Sequence, residues 1–168
     1  MKPESADRSS ACEVAPPRSQ FDGRAWAPAQ VTLLLVVAVL GPLWGGQWDE
    51  RLSVSSGRIL LALSAGMALA GAIALGRNLT PHPKPRREGK LVTRGVYAVV
   101  RHPLYASLIL GSIGWSLQWG SLPALIVSFI LAVVLDRKAR VEEEFLIERY
   151  PEYADYARRV GRFFPGIR

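Results

Sequence analysis

Residues 103–135 form a run of 33 positions without a single charged side chain. A helix needs about 20 apolar residues to cross a bilayer, so this run is too long for one ordinary span. It breaks in the middle at "QWGSLP", residues 118–123, where glycine can end one helix and proline can open the next. The run therefore reads as a helical hairpin. Each leg holds about 15 residues and reaches about 22 Å at 1.5 Å per residue, short of the roughly 30 Å hydrocarbon core. The legs are expected to extend past the uncharged zone, the second continuing as a helix through "DRKARVEEEFLIERY".

Two further uncharged runs precede the hairpin, residues 25–48 and 59–76. The first is dense in Leu and Val at "VTLLLVVAVLGPLW" and ends near Trp44 and Trp48, aromatics of the kind found at membrane interfaces. The second is rich in small residues: Ala62, Ser64, Ala65, Gly66, Ala70 and Gly71. Small residues let helices approach closely in lipid, so this span is expected to be buried among its neighbours. "GGQWDERLSVSSG" between them reads as a short polar connection. The fold class is thus all-α and integral to the membrane. About four spans are expected, including the C-terminal hairpin, followed by cytoplasmic amphipathic helices. The closing "PEYADYARRVGRFFPGIR" reads as one such helix lying on the surface. Residues 1–24, mixed in charge and rich in Ser and Pro, read as a mobile tail ahead of one domain over 25–168. They have no apolar core before a small-residue cleavage site, so they do not read as a secretory signal.

The chain carries 21 basic and 14 acidic side chains, a formal charge of +7. Basic stripes interleaved with aromatics, as nucleic-acid modules carry, are not evident. The excess instead sits in the tail, the long loop over 77–102 and the C-terminal region. With four spans those segments share one side, which the positive-inside rule makes cytoplasmic. A multi-pass protein with its polar site on the cytoplasmic face, in contact with membrane lipids, is the expectation. Cys12 is alone, so no intrachain disulfide can form, and no Cys/His cluster offers metal-ligand spacing. His82, in "PHPKP", reads as a solvated loop residue.

Arg101 and His102 stand directly before Pro103, which opens the third span. Proline is favoured at the first helical position, and a helix start presents unpaired N–H groups and partial positive charge. With two side-chain donors added, the place suits a carboxylate or phosphate, with Tyr97 and Tyr105 beside it. The plainer alternative is that Arg101 anchors the span at the interface and His102 merely caps it. Farther on, about 100° per residue puts Leu131, Leu135, Glu142 and Leu146 on one stripe and Arg137, Arg140 and Glu144 opposite. Glu142 then projects from the apolar stripe with Glu143 on its flank. A carboxylate there needs a partner, either Arg101 or a cationic ligand, whereas Glu144 reads as solvated.

These residues carry a resemblance. "GVYAVVRHPLYAS" followed by "RVEEEFLIERYPEYADYARRVGRFFP" resembles the isoprenylcysteine carboxyl methyltransferases and their phospholipid-methyltransferase relatives. The matching positions are Gly95, Tyr97, Arg101, His102, Pro103 and Tyr105, then, after the hairpin, Glu142, Glu143, Leu146, Tyr150, Tyr153, Tyr156 and Pro165. The resemblance covers residues from about 91 onward, nearly half of the chain. It implies S-adenosyl-L-methionine as methyl donor, bound over residues 91–168 in a cytoplasmic pocket closed by the C-terminal segment, with a lipophilic substrate entering from the membrane. It implies that Arg101 and His102 lie near the methionine carboxylate and that Tyr97 and Tyr105 line the pocket. Glu142 and Glu143 would meet the amino group or ribose, and Leu91 and Val92 would offer backbone contacts to the adenine. Arg101 and Glu142 are the residues it would set at the reaction.

Methyl transfer from a sulfonium is an in-line displacement, and the enzyme's work is alignment and exclusion of water. A carboxylate acceptor, with a pKa of about 4, is already ionised at neutral pH, whereas an amine must first lose a proton. No dedicated base stands out, which favours a carboxylate such as an isoprenylcysteine-like group. A phospholipid or small-amine N-methyltransferase is the alternative, and a non-enzymatic membrane protein or transporter the second. Transporters place ionisable groups inside spans, and these runs hold none.

Overall fold

The computed structural model describes residues 26–48, 50–76 and 91–166. The tail over 1–24 and most of the loop that contains His82 lie outside the described residues. The elements described are helices: α1 Trp26–Leu43, α2 Glu50–Leu75, α3 Pro103–Trp119, α4 Leu122–Arg149 and α5 Tyr153–Arg159, with a 3₁₀ turn at Gly95–Ala98. One isolated bridge, Val100 to Gly161, is the β pairing among them. α1 and α2 are each long and apolar enough to cross a membrane.

The polar connection ahead of the second span is shorter than its composition suggests. α2 begins at Glu50, so "RLSVSSG" is already helix. Its serines stay helical because their hydroxyls bond to carbonyls instead of competing for the backbone: Ser56 to Leu52 at 2.7 Å and Ser53 across to Leu117 of α3 at 2.9 Å.

α2 packs chiefly on α3, through one seam rather than on all sides. Gly57, Ser64 and Gly71 recur every seven residues, the period that keeps one helix face on its neighbour. Ser64 donates to the Ser107 carbonyl at 2.8 Å. Ala62, Ala65, Gly66 and Ala70 are exposed, so the expectation of a span enclosed among its neighbours is corrected. Only the small residues in phase with α3 are covered, and the rest face outward. At Gly57 the two backbones nearly touch: a Cβ there would lie 2.6 Å from the Gln118 nitrogen and 2.7 Å from the Gly114 carbonyl. Gly57→Val is therefore expected to pry α2 from α3, at about 1–3 kcal/mol for overpacking, read as a lowered Tm in detergent. An unchanged Tm would contradict this seam.

The hairpin forms where expected. Gly120 takes the left-handed conformation (φ +60°) that ends α3, and Ser121 caps α4, whose first turn holds Pro123. Ser116 and Ser128, both fully buried, meet at 3.1 Å between the legs. The legs are unequal. α3 stops at Pro103 after 17 residues, about 26 Å. α4 runs 28 residues to Arg149, as its apolar stripe predicts. Extension past the uncharged zone holds for the second leg alone, because Pro103 lacks the N–H that would carry α3 further back.

The C-terminal region is not one amphipathic helix. α5 ends at Arg159, and the chain then runs extended along residues 100–102. Gly161 and Pro165 disfavour helix there, and the backbone donors of the Arg-His-Pro motif supply the alternative partners.

Candidate functional site

Arg101 N–H donates to the Gly161 carbonyl at 2.9 Å and His102 N–H to the Arg162 carbonyl at 3.0 Å. The residues that open α3 thus hold the C-terminal segment with their backbones. Upstream, Gly95 (φ +64°) supplies the left-handed residue that starts the 3₁₀ turn and sends Tyr97 inward. The Tyr97 carbonyl accepts from the Tyr156 hydroxyl of α5. Burial pushes that hydroxyl up to about 12, so it stays a donor at neutral pH.

Two glutamates of α4 organise what lies between. Glu143 is buried and meets two guanidinium groups and an imidazole. His102 Nε2 lies 3.1 Å from its Oε1, Arg162 donates to both its oxygens at 3.1 and 2.9 Å, and Arg101 Nε stands 3.1 Å away without the alignment of a hydrogen bond. Arg101 spends another donor on the Ala157 carbonyl at 2.7 Å. Arg162 also reaches Asp136 at 2.7 Å, and Asp136 accepts from Arg140 as well. Burial alone would raise the Glu143 carboxyl. The hydrogen bonds from His102 and Arg162, with the Arg101 charge, outweigh it and hold it at about 2. Asp136 is likewise held below its ordinary value, burial pushing up and the bonds from Arg140 and Arg162 prevailing.

Glu142 is set apart from this clasp. Its Oε2 accepts from the Tyr105 hydroxyl at 2.9 Å, and 27% of its side chain remains exposed. The His102 ring stacks on Tyr105, with centroids 5.4 Å apart, and turns Nδ1 toward Glu142 at 3.8 Å. Phe163 leans on the other side of His102 at 6.2 Å. Beyond Phe163 an open groove of about 650 Å³ runs between α3 and α4. Ile109, Ile113, Phe129 and Val133 line it, and Arg137 and Arg140 stand at its polar end.

Six residues singled out from the sequence, Tyr97, Arg101, His102, Tyr105, Glu142 and Glu143, therefore meet at one end of the hairpin. The pairing differs from expectation: Arg101 goes to Glu143, not Glu142. Leu91 and Val92 stand half-buried ahead of the 3₁₀ turn. Arg162, Asp136 and Lys138 also belong to the polar end, and no motif in the sequence singles them out. For Arg162 the available signal was its place in a Gly- and Pro-bearing stretch that helix periodicity does not suit.

Comparison with known proteins sets this geometry in a family. Residues 52–153 match the family model described as phospholipid methyltransferase. The chain belongs to the phospholipid methyltransferase family. Proteins similar to it include the cobalt-zinc-cadmium resistance protein CzcN of Cupriavidus metallidurans, 31% identical over 82% of this chain and 61% of the relative. The nickel-cobalt-cadmium resistance protein NccN of Alcaligenes xylosoxydans xylosoxydans is 29% identical over 82% and 62%. Protein-S-isoprenylcysteine O-methyltransferase B of Arabidopsis thaliana is 32% identical over 66% and 58%. The chain spans about three fifths of the length of these curated relatives. The family match takes in α2, the hairpin and the start of α5. α1 and the segment carrying Arg162 fall outside it.

Proposed function

We propose that this protein is a membrane methyltransferase that uses S-adenosyl-L-methionine and acts on a lipophilic acceptor bearing a carboxylate. The observation that carries this is the meeting of two distant sequence blocks in one cluster, Tyr105 on Glu142 and His102 on Glu143, beside an apolar groove. Family membership and relatives named as isoprenylcysteine O-methyltransferases support the reaction class.

The donor set fits the cofactor. Glu142 is a partly open carboxylate suited to an ammonium or a ribose hydroxyl, and the buried Tyr153 hydroxyl has no hydrogen-bond partner among the described residues. When bound, the cofactor supplies an electrophilic methyl on a sulfonium. Glu142, Tyr105 and Tyr97 would hold it, with the backbone near Leu91 and Val92 beside the adenine. Arg101, His102 and Glu143 would fix the wall of the pocket and the C-terminal segment over it. Keeping water away follows from that closure.

In this reading the chain crosses the membrane four times, through α1, α2, α3 and the apolar part of α4 up to residue 135, and the length and composition of α1 and α2 support the first two. The polar end then lies on the cytoplasmic face by the distribution of basic residues. Because α3 is shorter than the hydrocarbon core is thick, its start sits slightly within the membrane edge, where a lipid-borne group can reach it. The groove beside Phe163 suits a prenyl or acyl chain.

The acceptor is open to direct test with methyl-labelled cofactor. Label is expected in an S-prenylcysteine as a base-labile ester. Label appearing instead as a base-stable product of an amine lipid would overturn the carboxylate acceptor in favour of N-methylation.

A further inference from the structure

Lys138 is buried, 5% exposed, in α4 one helical turn before Glu142. Its Nζ donates to Gln30 Oε1 of α1 at 2.9 Å and stands 5.0 Å from the centre of the Tyr105 ring. An ammonium has three donors. Among the described residues one of them finds an acceptor, and that acceptor is a neutral amide. The contrast with its neighbours is plain. Arg101 and Arg162 both reach carboxylates within 3.1 Å. Glu142, on the same helix, spends its bonded oxygen on Tyr105 rather than on Lys138. A buried ammonium with no carboxylate in hydrogen-bond contact is costly, and an amide, a ring face and the through-space charge of Glu142 one turn on offset only part of that cost. The missing partner is an anion.

We propose that the Lys138 ammonium, steadied by Gln30 and the face of Tyr105, is the subsite for a ligand carboxylate. Tyr105 joins this subsite to Glu142, so a buried cation and a partly open carboxylate flank one phenol. A molecule with both a carboxylate and an ammonium complements the pair, and so does a carboxylate acceptor lying beside the cofactor. Gln30 comes from α1, ahead of the part of the chain that the family model matches.

This inference takes its ligands from the methyltransferase function proposed above. Its test uses the full chain in detergent, with calorimetric affinities for S-adenosylhomocysteine and for an S-prenylcysteine with a free carboxylate. Two variants are compared with wild type. Lys138→Met replaces a buried cation by an apolar chain of similar length, a change that buried ionic sites commonly tolerate. Gln30→Glu leaves the lysine in place and gives it an internal carboxylate, which competes with the ligand. At least a tenfold loss of S-adenosylhomocysteine affinity in both variants assigns the subsite to the cofactor's carboxylate. An unchanged S-adenosylhomocysteine affinity with at least a tenfold loss for the S-prenylcysteine assigns it to the acceptor. A structural lysine alone would give Gln30→Glu a higher Tm and leave both affinities as in wild type. That result overturns the inference and leaves the methyltransferase function standing. A wild type that binds neither ligand overturns both.

Discussion

Glu143→Ala is expected to free the C-terminal segment from the hairpin, with the largest loss of stability of any single substitution at the polar end. The side chain is 11% exposed and meets His102, Arg101 and Arg162. Removing one member of a buried ionic group costs about 3–5 kcal/mol, because the partners are left uncompensated. Here two arginines and a histidine lose their shared carboxylate at once. The expected signs are a large fall in Tm and faster tryptic cleavage at Arg162. A near-wild-type Tm would mean that the backbone pairing of residues 100–102 with 161 and 162 holds the segment unaided.

The same residue sets an acid limit. Its carboxyl is held at about 2 in the folded protein against an ordinary 4.5. A depressed folded-state value means that the contribution is fully present above about pH 4.5 and is lost as pH falls toward 2. Asp136, also held down, adds in the same direction. Wild type is expected to lose Tm between about pH 4.5 and 2 more steeply than Glu143→Gln, which has no carboxyl to protonate. Parallel curves would contradict this assignment.

Glu142→Ala is expected to do the opposite: abolish function and spare the fold. Glu142 takes no part in the clasp, and among the described residues its hydrogen-bonded neighbour is Tyr105, at 2.9 Å. Truncation leaves the Tyr105 hydroxyl near a partly open surface where water can replace the carboxylate. Methyl transfer should fall by about 100-fold or more, the scale of losing a charge-assisted contact to a bound ligand, with Tm within a few degrees of wild type. Tyr105→Phe, which leaves the carboxylate but not its orientation, should fall between the two.

The hairpin was legible because three kinds of signal agreed: a long uncharged run, a Gly and Pro break at its middle, and a stripe continuing into the charged part of α4. The cluster's membership was legible through the spacing of its motifs, but its pairing was not. Leu131, Leu135, Ala139 and Glu143 advance in steps of four and are all buried. Glu142, about 100° away, is the more open of the two glutamates. An angular count on one helix cannot separate neighbours when a second element presses on it from the side, as the segment carrying Arg162 does. That segment read as helix because its charges and aromatics are amphipathic. Its true partners are backbone donors some 60 residues earlier, and no local pattern encodes them. The burial of α2 was overestimated for a related reason. Small residues permit close packing wherever they stand, but only those on one seam, Gly57, Ser64 and Gly71 among them, face α3.

The central claim, that the polar end of this hairpin binds S-adenosyl-L-methionine, is tested most directly by calorimetric titration of the detergent-purified protein with S-adenosylhomocysteine, beside Glu142→Ala. Binding by wild type, lost in a variant that keeps its Tm, is the predicted result. No binding to well-folded wild-type protein, or equal binding by the variant, would contradict the claim.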